Sequence, residues 1–153
     1  ALINERIATA FESDSSGNAA IGHGYTYSGH PVGAAAALAA IAETRRLDVV
    51  TNAAARGTQL YDGMVSLAGQ YPVVGDVRGG HGLMTAMELV ADRETKAPID
   101  GKLAIKMQKA AYQAGALIRV SGPNVILSPS LVIEEADIDI ALNAVEEGLK
   151  AIS

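Results

Sequence analysis

The sequence predicts an α/β chain in two parts: a helix-rich stretch over residues 1–70, then a small α+β domain over residues 71–153. Three observations carry that reading. Val32 to Ala42 is apolar and mostly alanine, the residue of highest helix propensity. After Gln70 the pattern changes to short clusters of β-branched residues punctuated by glycine and proline. Glu134-Glu135 then open a stripe of Ile138, Ala141, Leu142, Val145 and Leu149, the spacing of an amphipathic helix. From residue 73 onward the order is β-β-α-β-β-α, a layered domain with helices on one side of a short sheet.

Each element has a local reason. Leu2, Ile3, Ile7, Ala10 and Phe11 share one helical face, so residues 2–12 are expected to form a short helix. Glu12 to Asn18 is polar and reads as a loop. Residues 19–27 are small and partly apolar, and are expected to run extended toward a turn. A second helix starts near His30, with Ser28 or Gly29 as N-cap and Pro31 in the first turn, where its missing N–H is tolerated. The helical pattern continues through Leu47, bends near Asp48 and resumes through Leu67. Val73, Val74 and Val77 form one strand and Leu83 to Val90 the next, joined by Gly79-Gly80-His81-Gly82. Pro98 and Gly101 precede a helix from about Lys102 to Ala114, which Gly115 ends at the C′ position. Leu117–Val120, of buried type, and Val125–Leu127 read as short strands around Ser121-Gly122-Pro123-Asn124. The last helix runs to the chain end, its acidic opening matched to the helix dipole.

Composition excludes several classes. With 153 residues and 49% apolar residues the chain can bury a core. A formal net charge of -5 with no cluster of Lys and Arg argues against nucleic acid as a partner. The absence of cysteine removes disulfides, thiolate metal sites and cysteine nucleophiles, and is compatible with a cytoplasmic location. The longest apolar stretch falls far short of the roughly 20 residues a spanning helix needs, so no membrane partner is expected. No signal peptide is visible in Ala1 to Arg6. His23, His30 and His81 lack metal-ligand spacing, and no metal site is expected. The alanine-rich helix needs close neighbours, so association is expected.

Chemistry concentrates in residues 23–31. There hydroxyls and glycines precede a helix N-terminus, whose free N–H groups and dipole favour an anion such as phosphate. Thr26 and Ser28 add hydroxyl donors, and Gly24 and Gly29 allow close approach to the backbone. On the residues alone, a capping Ser28 and an ordinary turn at Thr26 is the simpler reading. The glycines form no nucleotide fingerprint.

His23-Gly24-Tyr25-Thr26-Tyr27-Ser28-Gly29-His30-Pro31 resembles the phosphate-binding turn of the class III aminotransferases, the pyridoxal-phosphate (PLP) enzymes that include the omega-transaminases. Val74-Gly75-Asp76-Val77-Arg78-Gly79 and Gly82-Leu83-Met84 are similar to that family's strand pair. Glu88-Leu89-Val90, Asp92, Thr95-Lys96 and Pro98 resemble the stretch that follows. Gly80-His81 adds a residue to the hairpin. The resemblance implies the C-terminal portion of a fold type I PLP subunit: the end of the large domain and a long interdomain helix, then the small domain. It implies that Tyr25 and Thr26 bind the phosphate of a PLP held by the neighbouring subunit of a homodimer.

Arg119 lies within Leu117-Ile118-Arg119-Val120, and a charge in an apolar run needs a partner or an exit to solvent. Snorkelling from a strand end, or pairing with a structural carboxylate, would answer that need. The surrounding residues 115–133 resemble the family segment whose arginine binds the substrate carboxylate. By that resemblance Arg119 takes the carboxylate of an amino or keto acid, a role suited to the guanidinium fork. The family's second proline is replaced by Ser130, which puts local rigidity in question. Arg78 reads as structural, and Asp76, Glu88 and Asp92 as solvated strand-end charges rather than acid–base groups.

A PLP aminotransferase also needs a Schiff-base lysine and an aspartate on the pyridine nitrogen. The five lysines are Lys96, Lys102, Lys106, Lys109 and Lys150, and none matches the family position, which falls before residue 1. No catalytic residue is therefore assigned. The chain is expected to be a fragment, inactive alone, whose partners are the N-terminal remainder of its subunit and a second subunit. The parent would move an amino group between an amine or omega-amino acid and a keto acid such as pyruvate. The rival reading is a non-catalytic regulatory module that binds small amino acids, with residues 1–70 as a dimerising arm.

Overall fold

The structure is a computed structural model that describes residues 3–17 and 24–153. The expectations for residue 2, for residues 18–23 and for His23 lie outside the described residues. The chain divides into two compact units, Ala1–Ile41 and Ala42–Ser153, each described by itself.

In the first unit, α1 (Glu5–Glu12) is capped by Asn4, whose Oδ1 accepts the Ile7 N–H at 3.1 Å. Helix α2 (Pro31–Arg46) buries no residue. Alanine on every side gives it helical propensity without a single apolar stripe. It ends at Arg46, and Asp48 takes a left-handed φ of 46° before α3 (Val49–Gln70) begins. The bend expected near Asp48 is thus a full break, and α3 runs three residues past Leu67.

The second unit is a sheet covered on one face by helices. Strands β1 (Val74–Arg78), β2 (Thr85–Asp92), β3 (Ala97–Pro98), β4 (Arg119–Ser121) and β5 (Asn124–Leu127) pair antiparallel in the order β1-β2-β5-β4, with β3 on β2. β3 was not anticipated: a two-residue strand ending in proline carries too little pattern to read. β4 starts two residues later than expected, at Arg119. Helices α4 (Gly101–Gln113) and α5 (Glu135–Lys150) pack on each other and, with α3, cover the sheet. Asp100 caps α4 through the Lys102 N–H at 2.9 Å. Gly115, at φ 107°, closes it: its N–H reaches the Tyr112 carbonyl at 3.1 Å and the Ala116 N–H the Ala111 carbonyl at 3.1 Å, a Schellman ending.

Side-chain alternation separates the two faces of the sheet. Thr85, Met87, Leu89, Val125 and Leu127 are buried against Leu60, Met64 and Leu67 of α3, Met107 of α4, and Ile138 and Val145 of α5. The opposite face carries Asp76, Arg78, Glu88, Ser121 and Arg119. Gly148 lets α5 close on Met107, where a Cβ would lie 2.8 Å from Met107 Cγ.

Candidate functional site

Residues 25–31 belong to the first unit. The Ser28 N–H donates to the Tyr25 carbonyl at 2.9 Å and the His30 N–H to the Tyr27 carbonyl at 3.2 Å, so two overlapping turns lead into α2. Gly29 reverses the chain at φ 73°, which a side chain would disfavour. The residue preceding the helix is His30 rather than Ser28 or Gly29, and its carbonyl accepts the Ala34 N–H at 3.0 Å. With no donor on Pro31, the Val32 and Gly33 N–H groups are left without intrahelical acceptors. Residues 24–30 are all exposed, Tyr25 and Tyr27 at 74% and 83%. The Tyr27 and His30 rings stand 6.2 Å apart, tilted by 54°. The turn therefore presents the hydroxyls of Thr26 and Ser28 beside free helix N–H donors, a set that matches an anionic oxygen group.

Arg119 is in the second unit. Ile118 is buried, and its carbonyl accepts Gln108 Nε2 from α4 at 2.8 Å, which fixes the residue before the arginine. Arg119 itself is exposed and pairs with Ile126. The expected buried strand is corrected here. Leu117 is 81% exposed, because β4 is an edge strand and this entry segment meets the core only through Ile118. The desolvation difficulty posed by a charge in an apolar run is met by that edge position.

Arg119 lines a cleft of about 350 Å³ together with Leu117, Ile126, Ser128, Ile133 and Asp137. The far wall is held by α3. Asn52 Nδ2 donates to the Leu131 and Ile133 carbonyls at 2.8 and 3.0 Å. Arg56 pairs with Glu135 at 2.7 Å, and Gln59 donates to Asp139 at 2.9 Å. Ser130 builds its own turn: its carbonyl accepts the Ile133 N–H at 3.0 Å and its hydroxyl the Val132 N–H at 3.4 Å. Asn52, Gln59 and Gln108 escaped sequence reading, because a polar residue on a helix signals nothing until the carbonyl opposite it is known.

The remaining candidates are structural. Arg78 reaches Glu88 at 2.9 Å, Asp76 at 3.1 Å and Asn124 Oδ1 at 2.7 Å, tying three strands on the open face. Its pKa is raised, first by the bond to Glu88. Asp76 and Glu88 are thus paired rather than merely solvated. Asp92 accepts the Thr95 N–H and hydroxyl at 2.6 and 2.7 Å, bonds that lower its pKa and hold it as a turn carboxylate. Lys96 donates to the Gly75 carbonyl at 2.9 Å, and Lys150 pairs with Glu147 and Glu146 at 2.9 and 3.1 Å. Lys102, Lys106 and Lys109 sit exposed on α4. Among the described residues no group of three or more His, Asp or Glu could hold a metal. No helix there is long and apolar enough to cross a membrane. The Gly79–Gly82 loop has positive φ at Gly79, Gly80 and Gly82, and leaves His81 exposed.

This fold recurs in known proteins. The model of the family "Aminotransferase class-III" matches residues 1–149. The chain belongs to the class III aminotransferases. It is similar to the uncharacterized aminotransferase y4uB of Sinorhizobium fredii, 34% identical over 99% of this chain and 33% of that protein. It is 37% identical to the taurine–pyruvate aminotransferase of Bilophila wadsworthia, over 83% of this chain and 29% of that protein. Among solved structures it resembles a PLP-bound amine transaminase from an uncultivated Pseudomonas species, with TM-score 0.90 and 39% identity over 99% of this chain and 34% of that one. An (S)-enantioselective omega-transaminase from Thermomicrobium roseum matches at TM-score 0.83 and 32% identity, over 98% of this chain and 33% of that one. The chain spans about a third of the length of the relatives it matches.

Proposed function

We propose that this chain is the C-terminal portion of a PLP-dependent aminotransferase subunit, and that the subunit moves an amino group between an amine or omega-amino acid and a keto acid such as pyruvate. One observation carries the reading: the exposed hydroxyl turn at residues 25–28, set directly before α2. When bound, PLP supplies the electron sink for amino transfer. The residues present fit its phosphate and nothing more of it. Thr26 offers a hydroxyl donor, Tyr25 an aromatic edge, and α2 its free N–H groups. No lysine lies between residues 1 and 95, so the Schiff-base role falls to the rest of the subunit.

In this reading residues 1–70 end the cofactor-binding domain and form the interdomain helix, and residues 71–153 form the small domain. Tyr25 and Thr26 orient the phosphate of the partner subunit's cofactor in a homodimer. Arg119 receives the substrate carboxylate. Its support is an exposed guanidinium over a cleft with apolar walls, where a bidentate pair would be partly sheltered from water. The name of one relative, a taurine–pyruvate aminotransferase, agrees with an amine-to-keto-acid exchange. A cytoplasmic site of action rests on composition alone. The rival sensing module rests only on the compactness of residues 42–153, and it leaves the turn at 25–28 unused.

The test uses the complete dimeric enzyme. Thr26→Val and Arg119→Ala each remove a hydrogen bond to a charged group, worth about 1.5–3 kcal/mol. Thr26→Val should weaken PLP retention by roughly ten- to a hundredfold, read from visible absorbance after dialysis. Arg119→Ala should raise the KM for pyruvate by a similar factor. A complete enzyme that neither binds PLP nor transaminates pyruvate would refute the proposal.

A further inference from the structure

Helix α4 carries a charge pattern that works against the helix itself. Lys102, Lys106 and Lys109 are exposed on it, and its sequence contains no acid. Lys102 stands in the first turn, where the helix dipole disfavours a cation. Lys102 and Lys106 are spaced i, i+4, and Lys106 and Lys109 i, i+3, the spacings at which like charges repel. Other cations of the second unit are committed. Arg56, Arg78 and Lys150 pair with carboxylates, while Arg93 and Lys96 donate to the Val74 and Gly75 carbonyls. Among the described residues none of the three α4 lysines takes part in an ion pair.

Beside the lysines runs an apolar stripe. Ile105 and Tyr112, spaced i, i+7, are 52% and 66% exposed. They are separate from the core stripe of α4, which is Ala104, Met107 and Ala111. Tyr112 and Lys109, with Gln108, Gln113 and Leu117, line a groove of about 260 Å³. The bond from Gln108 to the Ile118 carbonyl fixes one wall of it. An apolar side chain seated there would have the Lys109 cation at its edge. With Ile105 and Tyr112 taken as core positions of a heptad, Lys102 and Lys109 both fall at the flanking position whose charge selects a helical partner.

We propose that this face of α4 is a docking surface for an acidic amphipathic helix of another protein. Apolar residues of that helix lie along Ile105 and Tyr112, and its flanking carboxylates meet Lys102, Lys106 and Lys109. The partner's charge then offsets the repulsion that α4 carries alone. With a net charge of -5 the chain as a whole repels nucleic acid and an anionic bilayer. Two exposed apolar side chains are also too few to seat a helix in a membrane interface. Neither the turn at residues 25–28 nor Arg119 belongs to this face, so it stands apart from the proposed reaction.

The experiment uses the complete holoenzyme and a fluorescein-labelled helical peptide of about three heptads, with leucine at its core positions and glutamate beside them. Fluorescence anisotropy should show saturable binding that weakens as salt rises. Lys102→Glu, Lys106→Glu and Lys109→Glu together should weaken it roughly tenfold or more, since each exposed pair contributes a factor of up to about five. Tyr112→Ala should weaken it roughly fivefold or more, the loss of an interface aromatic. A variant with glutamine at the three lysine positions removes charge without reversing it, and should lose the salt dependence while keeping the PLP absorbance and kcat of the wild type. No binding, equal binding of a peptide with lysine in place of glutamate, or binding indifferent to the three lysines overturns the proposal. So does acetic anhydride labelling that spares Lys102, Lys106 and Lys109 in the complete enzyme, because the rest of the enzyme then covers the face. Tighter binding through the same lysines to phosphatidylserine vesicles or to single-stranded oligo-dT also overturns it, by assigning the face to another class of partner.

Discussion

At Arg119 one side chain answers to two constraints. Its backbone is fixed by the buried Ile118 and by the Gln108 bond to the Ile118 carbonyl, while its guanidinium stays in solvent at the sheet edge. Anchored backbone and free head make it suited to a ligand that comes and goes. Thr85 is its opposite. It is fully buried at the start of β2, and its hydroxyl has no hydrogen-bond partner among the described residues. An unsatisfied buried hydroxyl costs about 1–3 kcal/mol. Thr85→Val keeps the shape and removes the polar atom, so it should stabilise the protein by about 1 kcal/mol, measured as a higher urea midpoint at unchanged m-value. A lower midpoint would show that the hydroxyl is bonded after all. Arg119 could be singled out from its neighbours in sequence. The state of Thr85 could not, because alternation places it on the core face without saying whether an acceptor waits there.

At the scale of elements, the end of the sheet that carries Arg119 is shaped by contacts along α3. Gly57 in α3 lies against Gly82, and a Cβ there would run into the Gly82 carbonyl and its backbone. Backbone cannot step aside as a side-chain tip can. Gly57→Ala should therefore destabilise by about 1–3 kcal/mol, the usual size of an overpacked site. Gly69, twelve positions along the same helix, would meet nothing within 4 Å. Gly69→Ala should stabilise by about 0.4–1 kcal/mol, through lower entropy of the unfolded chain. Thermal unfolding of the two variants separates the cases, and equal effects would refute the packing argument. Both glycines read alike in sequence as weak points in a helix. Their difference is made by a loop more than twenty residues away along the chain.

At the scale of the molecule, apolar surface outruns what the chain itself covers. Val32, Leu38 and Ile41 of α2 are 69%, 69% and 50% exposed. Exposed apolar surface of this extent marks an interaction face. The isolated chain is expected to bind a hydrophobic dye and to associate with rising concentration in analytical ultracentrifugation. Leu38→Lys with Ile41→Lys should reduce both signals. A chain that stays monomeric and dye-free at all concentrations would show that this surface has no partner. Such a face is consistent with a chain about a third the length of its relatives. The alanine run gave notice of close packing, but it named neither the face nor the partner.

The sequence by itself determined the helices, the order of the four main strands and two helices after residue 73, an interruption near Asp48 and the family. These depend on local propensity, periodicity and short motifs, which are written within a few residues of one another. Tertiary structure alone decided that Arg119 stands on an edge strand. It also decided that Asp137 shares its cleft, and that Asn52, Gln59 and Gln108 hold the walls. Those are contacts between residues ten to eighty positions apart, and no local pattern encodes which helix face meets which carbonyl. The turn at residues 25–28 falls between the two cases: its hydroxyls and glycines were legible in the sequence, and the structure supplied their exposure.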